Sequence, residues 1–471
     1  MNTRFSIGSS NVRMEWRDYQ ARLNRIAAAR RRSRRMRRYF GVFLLLIGAG
    51  FWVIGGSSCM SGVFSRLHAP ENVARVGPAP VLPKTPVTPV KLMDKTEVRG
   101  LLGSLAPAGL DQKRFDISSN GRNYHVTTTL DSSLQNFMMK SLNPATVRYI
   151  GIVAMEPSTG RVLAMAGFDK INPSGNPCVS DIFPAASTFK IITASAAVDR
   201  CNFYPETTVS FTGGKHTLYK SQISNKITRY SQKITLMDSF AQSVNSVFGK
   251  IGVYNLGGAL LGQYAEAFGF NKAIDLEISV QPSVMSIDSE PFRLAEIACG
   301  YNHVTAISPM HGAVIVSTIL NRGALTVPSM IDHITDEKGD VLYRSPSVPL
   351  KQVVSPRTSE IMIHMMEATI TSGTGRKAFR GYRQDNILSR LEIGGKTGSL
   401  DNKTHVQHYD WFIGFAGDRN SGKKLVVSVV VVHEKFLGTR SGQYARMAMK
   451  QYFTEELAGG KSRLNLKNRH G

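Results

Sequence analysis

Three short motifs constrain the fold of this chain more than any other feature of its sequence. They are Ser187-Thr188-Phe189-Lys190, Ser243-Val244-Asn245 and Lys396-Thr397-Gly398. The surrounding residue pattern predicts that the first opens a helix, the second interrupts a helical block and the third lies on a strand. Each motif alone is common by chance. A fold that brings all three together is a much narrower requirement.

The first motif is suited to acyl transfer. Residues i and i+3 of a helix share a face, so Lys190 is expected beside Ser187. The neighbours Phe189, Ile191 and Ile192 are apolar, and burial would disfavour the charged lysine, leaving an amine that can take the serine proton. The positive end of the helix dipole would face the developing oxyanion. For this motif in isolation, a helix cap followed by a solvated lysine is the alternative.

The second and third motifs supply the other polar groups that such a reaction needs. Ser243 can pass a proton to a leaving nitrogen, and Asn245 can hold Lys190 or a substrate amide. Lys396 would place positive charge where a substrate carboxylate lies. We therefore predict Ser187, Lys190, Ser243, Asn245 and Lys396 as catalytic residues.

The strand that carries the third motif is predicted to bind substrate through Thr397, Gly398 and Ser399. Gly398 would let a substrate backbone approach the strand edge. The backbone N–H of Ser399, with that of Ser187, is the predicted oxyanion hole.

The order of predicted elements indicates an α+β fold. An apolar hairpin over 148–168 precedes a large helical block, and three strands follow at 391–400, 410–418 and 424–434. Short polar connections join the last three strands, so antiparallel pairing is expected. We predict a five-stranded antiparallel sheet between helical layers.

With these motifs in this order, the chain resembles the transpeptidase domain of penicillin-binding proteins over residues 124–458. Further stretches carry the same resemblance: "TTLDSSLQ", "GIVAMEPSTGRVLAMAG", "NRGALTVPSMI", "SGTGRKA" and "WFIGFAG". The resemblance implies a β-lactamase/transpeptidase-like fold with Ser187 as the acylated nucleophile and Lys190 as its base. It implies D-Ala-D-Ala stem peptides of peptidoglycan as substrates and β-lactams as their mimics.

Three alternatives stay open beside a D,D-transpeptidase. A D,D-carboxypeptidase would differ only in using water as the acceptor. A class D β-lactamase shares "STFK" and "KTG", although its middle motif ends in valine where this chain has Asn245. A non-catalytic sensor or scaffold would bind β-lactams or muropeptides without turnover. The histidines of "HVQH", 405–408, have no third ligand nearby, so neither a metal nor a cofactor is expected.

The charge of the chain points to a membrane surface. The net charge is +24, and Arg22–Arg38 holds nine arginines and no acidic residue. The uncharged run Tyr39–Gly56 follows, and as a helix it would measure roughly 27 Å, enough to cross a bilayer. Arginines on one side of a span keep that side in the cytoplasm. A cleaved signal peptide and a nucleic-acid-binding tail are the weaker interpretations.

These features predict a single-pass protein of the cell membrane, with its N-terminus in the cytoplasm and its catalytic domain outside or in the periplasm. Its expected partners are stem peptides, β-lactams, the membrane and a separate glycosyltransferase, because no glycosyltransferase domain fits before residue 124; no nucleic acid is expected. The predicted segments are a basic cytoplasmic tail (1–38), a transmembrane helix (39–56), a proline-rich linker with a short N-terminal region (57–123), the transpeptidase domain (124–458) and a basic C-terminal tail (459–471).

Two of the four cysteines, Cys178 and Cys201, flank the predicted nucleophile helix. An extracytoplasmic domain permits disulfides, so a bridge between them and two free thiols are both consistent with the sequence.

Overall fold

The computed structural model describes residues 92–103, 110–179, 182–345 and 351–467, with side chains described as far as residue 458. Within these ranges, no helix combines the length and the apolar character that crossing a membrane requires. The predicted span at 39–56 and the basic tail before it lie outside the described residues, and so does most of the predicted linker.

The described chain contains both helices and strands, in an irregular order. The helices are α1 (Lys95–Leu102), α2 (Ser132–Ser141), α3 (Lys190–Arg200), α4 (Leu236–Ala241), α5 (Asn245–Lys250), α6 (Gly257–Ala267), α7 (Pro291–Cys299), α8 (Pro309–Leu320), α9 (Pro356–Thr371) and α10 (Ser441–Lys467). The strands are β1 (Arg114–Ser119), β2 (Arg122–Thr128), β3 (Val147–Met155), β4 (Val162–Asp169), β5 (Phe183–Pro184), β6 (Thr208–Phe211), β7 (Gln232–Thr235), β8 (Ala306–Ile307), β9 (Ile331–Asp336), β10 (Val341–Arg344), β11 (Leu391–Asp401), β12 (His408–Asp418) and β13 (Lys424–His433).

The central sheet has five strands in the order β11-β12-β13-β3-β4, and every neighbouring pair is antiparallel. The predicted α+β fold is thereby confirmed. Strand β13 shows why the sheet is buried on both faces. Val426 and Val430 belong to one apolar cluster, and Val427 and Val429 belong to the other. A nearly continuous run of valines is what a strand covered on both sides requires.

Helices cover the two faces of this sheet. Helix α8 packs against β3, β12 and β13 on one face, and α10 packs against β12 and β13 on the other. Side chains of Asp131, Ser308 and Ser355 cap α2, α8 and α9 by accepting hydrogen bonds from backbone N–H groups of the first turn. These caps define the starts of three helices that surround the sheet.

The folded part of the chain begins earlier than the predicted boundary at residue 124. Helix α1 and strand β1 precede it, and β1 belongs to a second antiparallel sheet of order β1-β2-β9-β10. Lys95 of α1 is buried and donates to the carbonyls of Asp275 at 2.8 Å and Pro328 at 3.2 Å. Helix α1 is thus attached to the body of the protein, so part of the short N-terminal region predicted within 57–123 is folded onto that body.

Of the two alternatives that the sequence left open for Cys178 and Cys201, the structure has the free thiols. Cys178 is buried against the central sheet, its Sγ 3.5 Å and 3.4 Å from the carbonyl oxygens of Ile152 and Ala166. Cys201 follows the last turn of α3, and its Sγ lies 3.4 Å from the carbonyl of Asn255. A disulfide needs Cα atoms within about 7 Å, and these side chains have separate surroundings.

Candidate active site

The first motif forms a tight turn that leads directly into a helix. Ala186–Phe189 is a 3₁₀ turn, and α3 follows it from Lys190. Ala186 has a φ of 47°, an unusual value for a residue with a side chain. The turn places Ser187 Oγ 2.7 Å from Lys190 Nζ. The predicted juxtaposition is therefore present, although a 3₁₀ turn rather than the α-helix itself carries the serine.

Lys190 is fully buried, and its Nζ has two further partners. It lies 2.8 Å from Asn245 Oδ1 and 2.6 Å from the carbonyl oxygen of Cys299. Burial lowers the pKa of Lys190 from 10.5 to about 8. Both of these oxygens are acceptors, so a neutral amine donates its two N–H groups to them and its lone pair is left facing Ser187. This arrangement suits a base that removes the serine proton.

The second motif lies in the break between α4 and α5. Ser243 has a φ of 57°, and Asn245 is the first residue of α5. The side chain of Asn245 joins two parts of the site, because its Nδ2 donates to the carbonyl of His216 at 2.8 Å while its Oδ1 accepts from Lys190. The interruption of the helix therefore holds two polar side chains beside the first motif.

Lys396 of the third motif is not exposed to the cleft. It is fully buried on β11, and its Nζ donates to Ser243 Oγ and to the carbonyl of Thr397, each at 3.0 Å. Burial, reinforced by the positive charge of Lys190, holds the pKa of Lys396 well below its usual value. Its side-chain contact is thus with Ser243, and its role toward a substrate carboxylate stays a prediction.

Strand β11 runs directly against the nucleophile turn. A Cβ atom at Gly398 would lie 3.1–3.2 Å from atoms of Trp411, Ala186 and Thr188. The absence of a side chain at Gly398 therefore allows the close approach. Thr397 is hydrogen-bonded to Thr374, and Ser399 is exposed. Because β11 is an edge strand of the five-stranded sheet, its outer edge is available for a ligand in extended conformation.

The three motifs line one cleft of about 750 Å³. All of the predicted catalytic and substrate-binding residues except Lys190 and Lys396 contribute to its surface: Ser187, Ser243, Asn245, Thr397, Gly398 and Ser399.

The sequence matches the family model described as the penicillin binding protein transpeptidase domain over residues 150–453. The chain belongs to this family.

Known members of the family and related structures agree with this assignment. Stage V sporulation protein D of Bacillus subtilis is 29% identical over 343 residues, which cover 65% of this chain and 49% of that protein. Peptidoglycan D,D-transpeptidase PbpA of Mycolicibacterium smegmatis is 24% identical over 315 residues, covering 59% of this chain and 61% of that protein. This chain thus spans about half to three-fifths of the length of these relatives.

Two solved structures confirm the transpeptidase fold. The D,D-transpeptidase domain of a peptidoglycan glycosyltransferase from Eggerthella lenta has a TM-score of 0.57 and 24% identity, over 70% of this chain and 83% of that chain. Penicillin-binding protein A from M. tuberculosis, as an imipenem acyl-enzyme complex, has a TM-score of 0.56 and 20% identity, over 69% and 79%.

Several residues of this cleft carry no signal in the sequence. His216, Tyr301 and Arg440 line it but lie outside the three motifs. Burial and the positive charge of Lys190 lower the pKa of His216. Lys377 also lines the cleft and falls within "SGTGRKA", a stretch that contributed to the resemblance without a role of its own.

Gly300 is another missed residue: it lines the cleft and packs against the turn that carries Ser187. It ends α7 with a φ of 73°. A Cβ atom there would lie only 1.9 Å from the carbonyl oxygen of Ala186 and 3.3 Å from the backbone nitrogen of Ser187. The site therefore includes a glycine that is far from the three motifs in sequence, and only the tertiary packing reveals it.

Proposed function

We propose that this protein is a serine D,D-transpeptidase that acts on D-Ala-D-Ala stem peptides of peptidoglycan and binds β-lactams covalently at Ser187. One observation carries the proposal: the buried Lys190 amine lies 2.7 Å from Ser187 Oγ, with two other oxygens available to its N–H groups. A buried amine held in this way is an effective base for a serine hydroxyl. The name of the mycobacterial relative, peptidoglycan D,D-transpeptidase, is in agreement.

Acylation would begin with attack of Ser187 Oγ on the carbonyl carbon of the D-Ala-D-Ala amide, while Lys190 Nζ takes the hydroxyl proton. The backbone N–H groups of Ser187 and Ser399, both in residues that line the cleft, are the proposed donors to the oxyanion. The C–N bond then breaks, the terminal D-Ala leaves as an amine, and an ester remains on Ser187. In a β-lactam the same C–N bond opens, but the amine stays attached.

The leaving nitrogen needs a proton, and we assign its delivery to Ser243. Its hydroxyl lines the cleft and accepts a hydrogen bond from Lys396, so Ser243 can give its proton to the nitrogen and be reprotonated by the lysines behind it. An acceptor amine would then attack the ester, lose a proton to the same bases, and release Ser187. Thr397, Gly398 and Ser399 would hold the donor peptide along the edge of β11.

Covalent labelling with a tagged penicillin tests the proposal. The wild-type protein is expected to carry the label on the peptide that contains Ser187, and Ser187→Ala is expected to carry none. Lys396→Ala is expected to slow labelling by ligands with and without a carboxylate alike, because its contact is with Ser243. A label on another residue would contradict the assignment of the nucleophile.

A donor stem peptide incubated with an amine acceptor then separates the remaining activities. Transfer of the acyl group to the amine is the expected result. Hydrolysis of the donor peptide alone would indicate a D,D-carboxypeptidase. Rapid turnover of the β-lactam would indicate a β-lactamase. Stable acylation by the β-lactam, with neither transfer nor hydrolysis of the peptide, would indicate a sensor.

We further propose that Tyr39–Gly56 anchors the protein in the cell membrane, with the arginine-rich tail in the cytoplasm and the catalytic domain outside. The support is the sequence: 18 uncharged residues follow nine arginines. At the membrane surface, a separate glycosyltransferase would supply the glycan strands.

Reporter fusions test this orientation. An alkaline phosphatase fused after residue 100, a reporter that is active only outside the cytoplasm, is expected to be active. The matched fusion after residue 38 is expected to be inactive. The reverse pattern would contradict the orientation. If cleavage near residue 56 releases the residue-100 fusion from the membrane, the segment is a signal peptide and not an anchor.

A further inference from the structure

A basic segment beside the cleft plays no part in the mechanism above. It comprises strands β6 and β7, which pair only with each other, and the long connection between them, residues 208–235. We call it the basic arm, because it holds five basic residues and no acidic residue. All five are exposed: Lys215, Lys220, Lys226, Arg229 and Lys233. Among the described residues, none of the five forms an ion pair with a carboxylate.

The basic arm is fixed to the second motif. The backbone N–H of Asn245 donates to the carbonyl of Lys215 at 2.7 Å, and Asn245 Nδ2 donates to the carbonyl of His216 at 2.8 Å. Lys215 Nζ donates to Gln242, the residue before Ser243. His216 lines the cleft, whereas the five basic residues do not. The arm therefore begins at the cleft wall, and its positive charges lie outside the cleft.

Hydrogen bonds within the arm hold its exposed residues on fixed turns. Gln222 is buried; its Nε2 donates to the carbonyl of Thr212 at 2.9 Å, and its Oε1 accepts from the backbone N–H of Tyr219 at 2.9 Å. Farther along, Thr228 N–H donates to Ser231 Oγ at 2.9 Å, and Ser231 N–H donates back to the Thr228 carbonyl at 3.0 Å. A surface held in this way loses little conformational freedom when it binds a ligand.

Large apolar and aromatic side chains lie exposed among the charges. Tyr219, Ile227 and Tyr230 are 62%, 75% and 67% exposed. The Arg229 guanidinium lies over the Tyr230 ring, with its carbon 4.8 Å from the centroid. Exposed apolar groups surrounded by polar ones mark interaction surfaces, and tyrosine supplies rigid contact area that suits a partly polar ligand. The arm therefore fits a partner that is anionic and also has apolar faces.

A glycan strand with attached stem peptides has both properties. Each unreacted stem peptide ends in a D-Ala carboxylate, so several of them on one strand make a polyanion, and sugar rings offer C–H faces to aromatic side chains. Clustered positive charge attracts such a polymer. An anionic lipid surface also attracts basic and aromatic groups. The glycan strand is favoured because the arm is fixed to the cleft in which one of the strand's peptides would react.

We propose that the basic arm is a binding surface for uncross-linked peptidoglycan, which holds the glycan strand outside the cleft while one of its stem peptides enters. This rests on the proposed function and names a second contact for the same substrate. The arm takes no part in making or breaking bonds. It raises the local concentration of stem peptides at Ser187, as a second binding contact on one ligand does.

Strand binding by the full-length protein tests the proposal. Ser187→Ala in phosphatidylcholine nanodiscs is the parent, so that no acylation occurs, and the probe is fluorescent uncross-linked peptidoglycan with intact stem peptides. Adding Lys220→Gln, Lys226→Gln and Arg229→Gln together is expected to raise the dissociation constant about tenfold at low salt, since each exposed ion pair contributes at most a few-fold. Salt should weaken the parent more than this variant.

The same strands with their carboxylates converted to amides provide the test of charge. The parent and the arm variant are expected to bind them alike, because the arm then has no anion to attract. Tyr219→Ala combined with Tyr230→Ala is expected to weaken binding of the intact and the amidated strands equally, because these rings contact sugars.

A matched control removes the same charge elsewhere. Arg122, Lys338 and Arg344 are exposed and lie on the second sheet or in its β9–β10 turn. Changing all three to Gln is expected to leave strand binding as in the parent. In proteins that keep Ser187, labelling by a small penicillin is expected to be unaffected by the control and arm substitutions, since none of these residues lines the cleft.

Acetylation of lysines, read by mass spectrometry, separates a glycan strand from a lipid surface. Lys220 and Lys226 are expected to be protected when strands are added to the parent in phosphatidylcholine nanodiscs. They are expected to stay reactive in phosphatidylglycerol nanodiscs without strands. Protection by phosphatidylglycerol alone would identify a lipid-binding surface and overturn the proposal.

Equal dissociation constants for the parent and the arm variant would also overturn it, and so would an equal loss with amidated strands, an equal loss in the control, or no loss in the tyrosine variant. The proposed function is judged separately, by penicillin labelling of Ser187 and transfer to an amine. Labelling and transfer without strand binding by the arm would refute the arm alone. Strand binding without labelling would refute the proposed nucleophile and leave the arm in place.

Discussion

Replacing Lys190 with alanine is expected to leave the protein folded and to slow acylation of Ser187 by a penicillin about 10²–10⁴-fold, the usual contribution of a positioned base. The physical reason is that Lys190 Nζ lies 2.7 Å from Ser187 Oγ, so that in its neutral form it can accept the serine proton. Lys190→Arg is expected to be similarly slow, since a guanidinium is not deprotonated in this pH range. Stopped-flow acylation of the wild type and both variants provides the measurement.

The pH profile of the wild type gives an independent check. The base must be neutral, and burial lowers the pKa of Lys190 to about 8. The acylation rate should therefore rise roughly tenfold per pH unit below that value and level off above it. Lys250→Ala is the matched control, because Lys250 is also buried and donates to the Ser210 carbonyl at 2.9 Å, away from Ser187. If Lys190→Ala acylates at the wild-type rate, Lys190 is not the base that takes the serine proton.

The sequence was sufficient for the parts of this site that depend on local spacing. Ser187 and Lys190 are three residues apart, so any helical turn brings them together. The central sheet could be predicted equally well from the sequence, since the hairpin at 148–168 and the three late strands have strong apolar patterns between clear turns. Strands β1 and β10 were missed, because they are short edge strands with only one buried residue each, so neither shows a clear alternating apolar pattern.

Contacts between distant segments were beyond sequence reasoning. The carbonyl of Cys299 that accepts from Lys190 is a backbone group, which no residue type marks. The orientation of Lys396 toward Ser243 depends on how closely β11 packs against the break after α4. The choice between a Cys178–Cys201 disulfide and free thiols could not be made from the sequence for the same reason, since proximity in the chain to one helix says little about where two side chains point.

Placing a methyl group at Gly300 is expected to disable the site without touching any group that reacts. The Cβ of Gly300→Ala would lie 1.9 Å from the Ala186 carbonyl oxygen, so the turn that carries Ser187 must move. Ala186 already has a φ of 47°, which leaves that turn little freedom to adapt. A displacement near 1 Å of a reacting group costs about 10²-fold in rate. We therefore expect Gly300→Ala to acylate about 10²-fold more slowly than the wild type.

Gly160→Ala is the matched control for this effect, because it creates the same kind of clash at a distance from the cleft. Both glycines have a φ of 73°, and a Cβ at Gly160 would lie 2.1 Å from the carbonyl oxygen of Val327. The two variants should lose comparable thermal stability, since each forces a side chain into a left-handed conformation against backbone. Only Gly300→Ala should lose acylation when the rate is expressed per folded protein well below its Tm. Equal acylation by both variants, or an equal loss in both, would mean that Gly300 contributes to general stability and that the position of Ser187 does not depend on it.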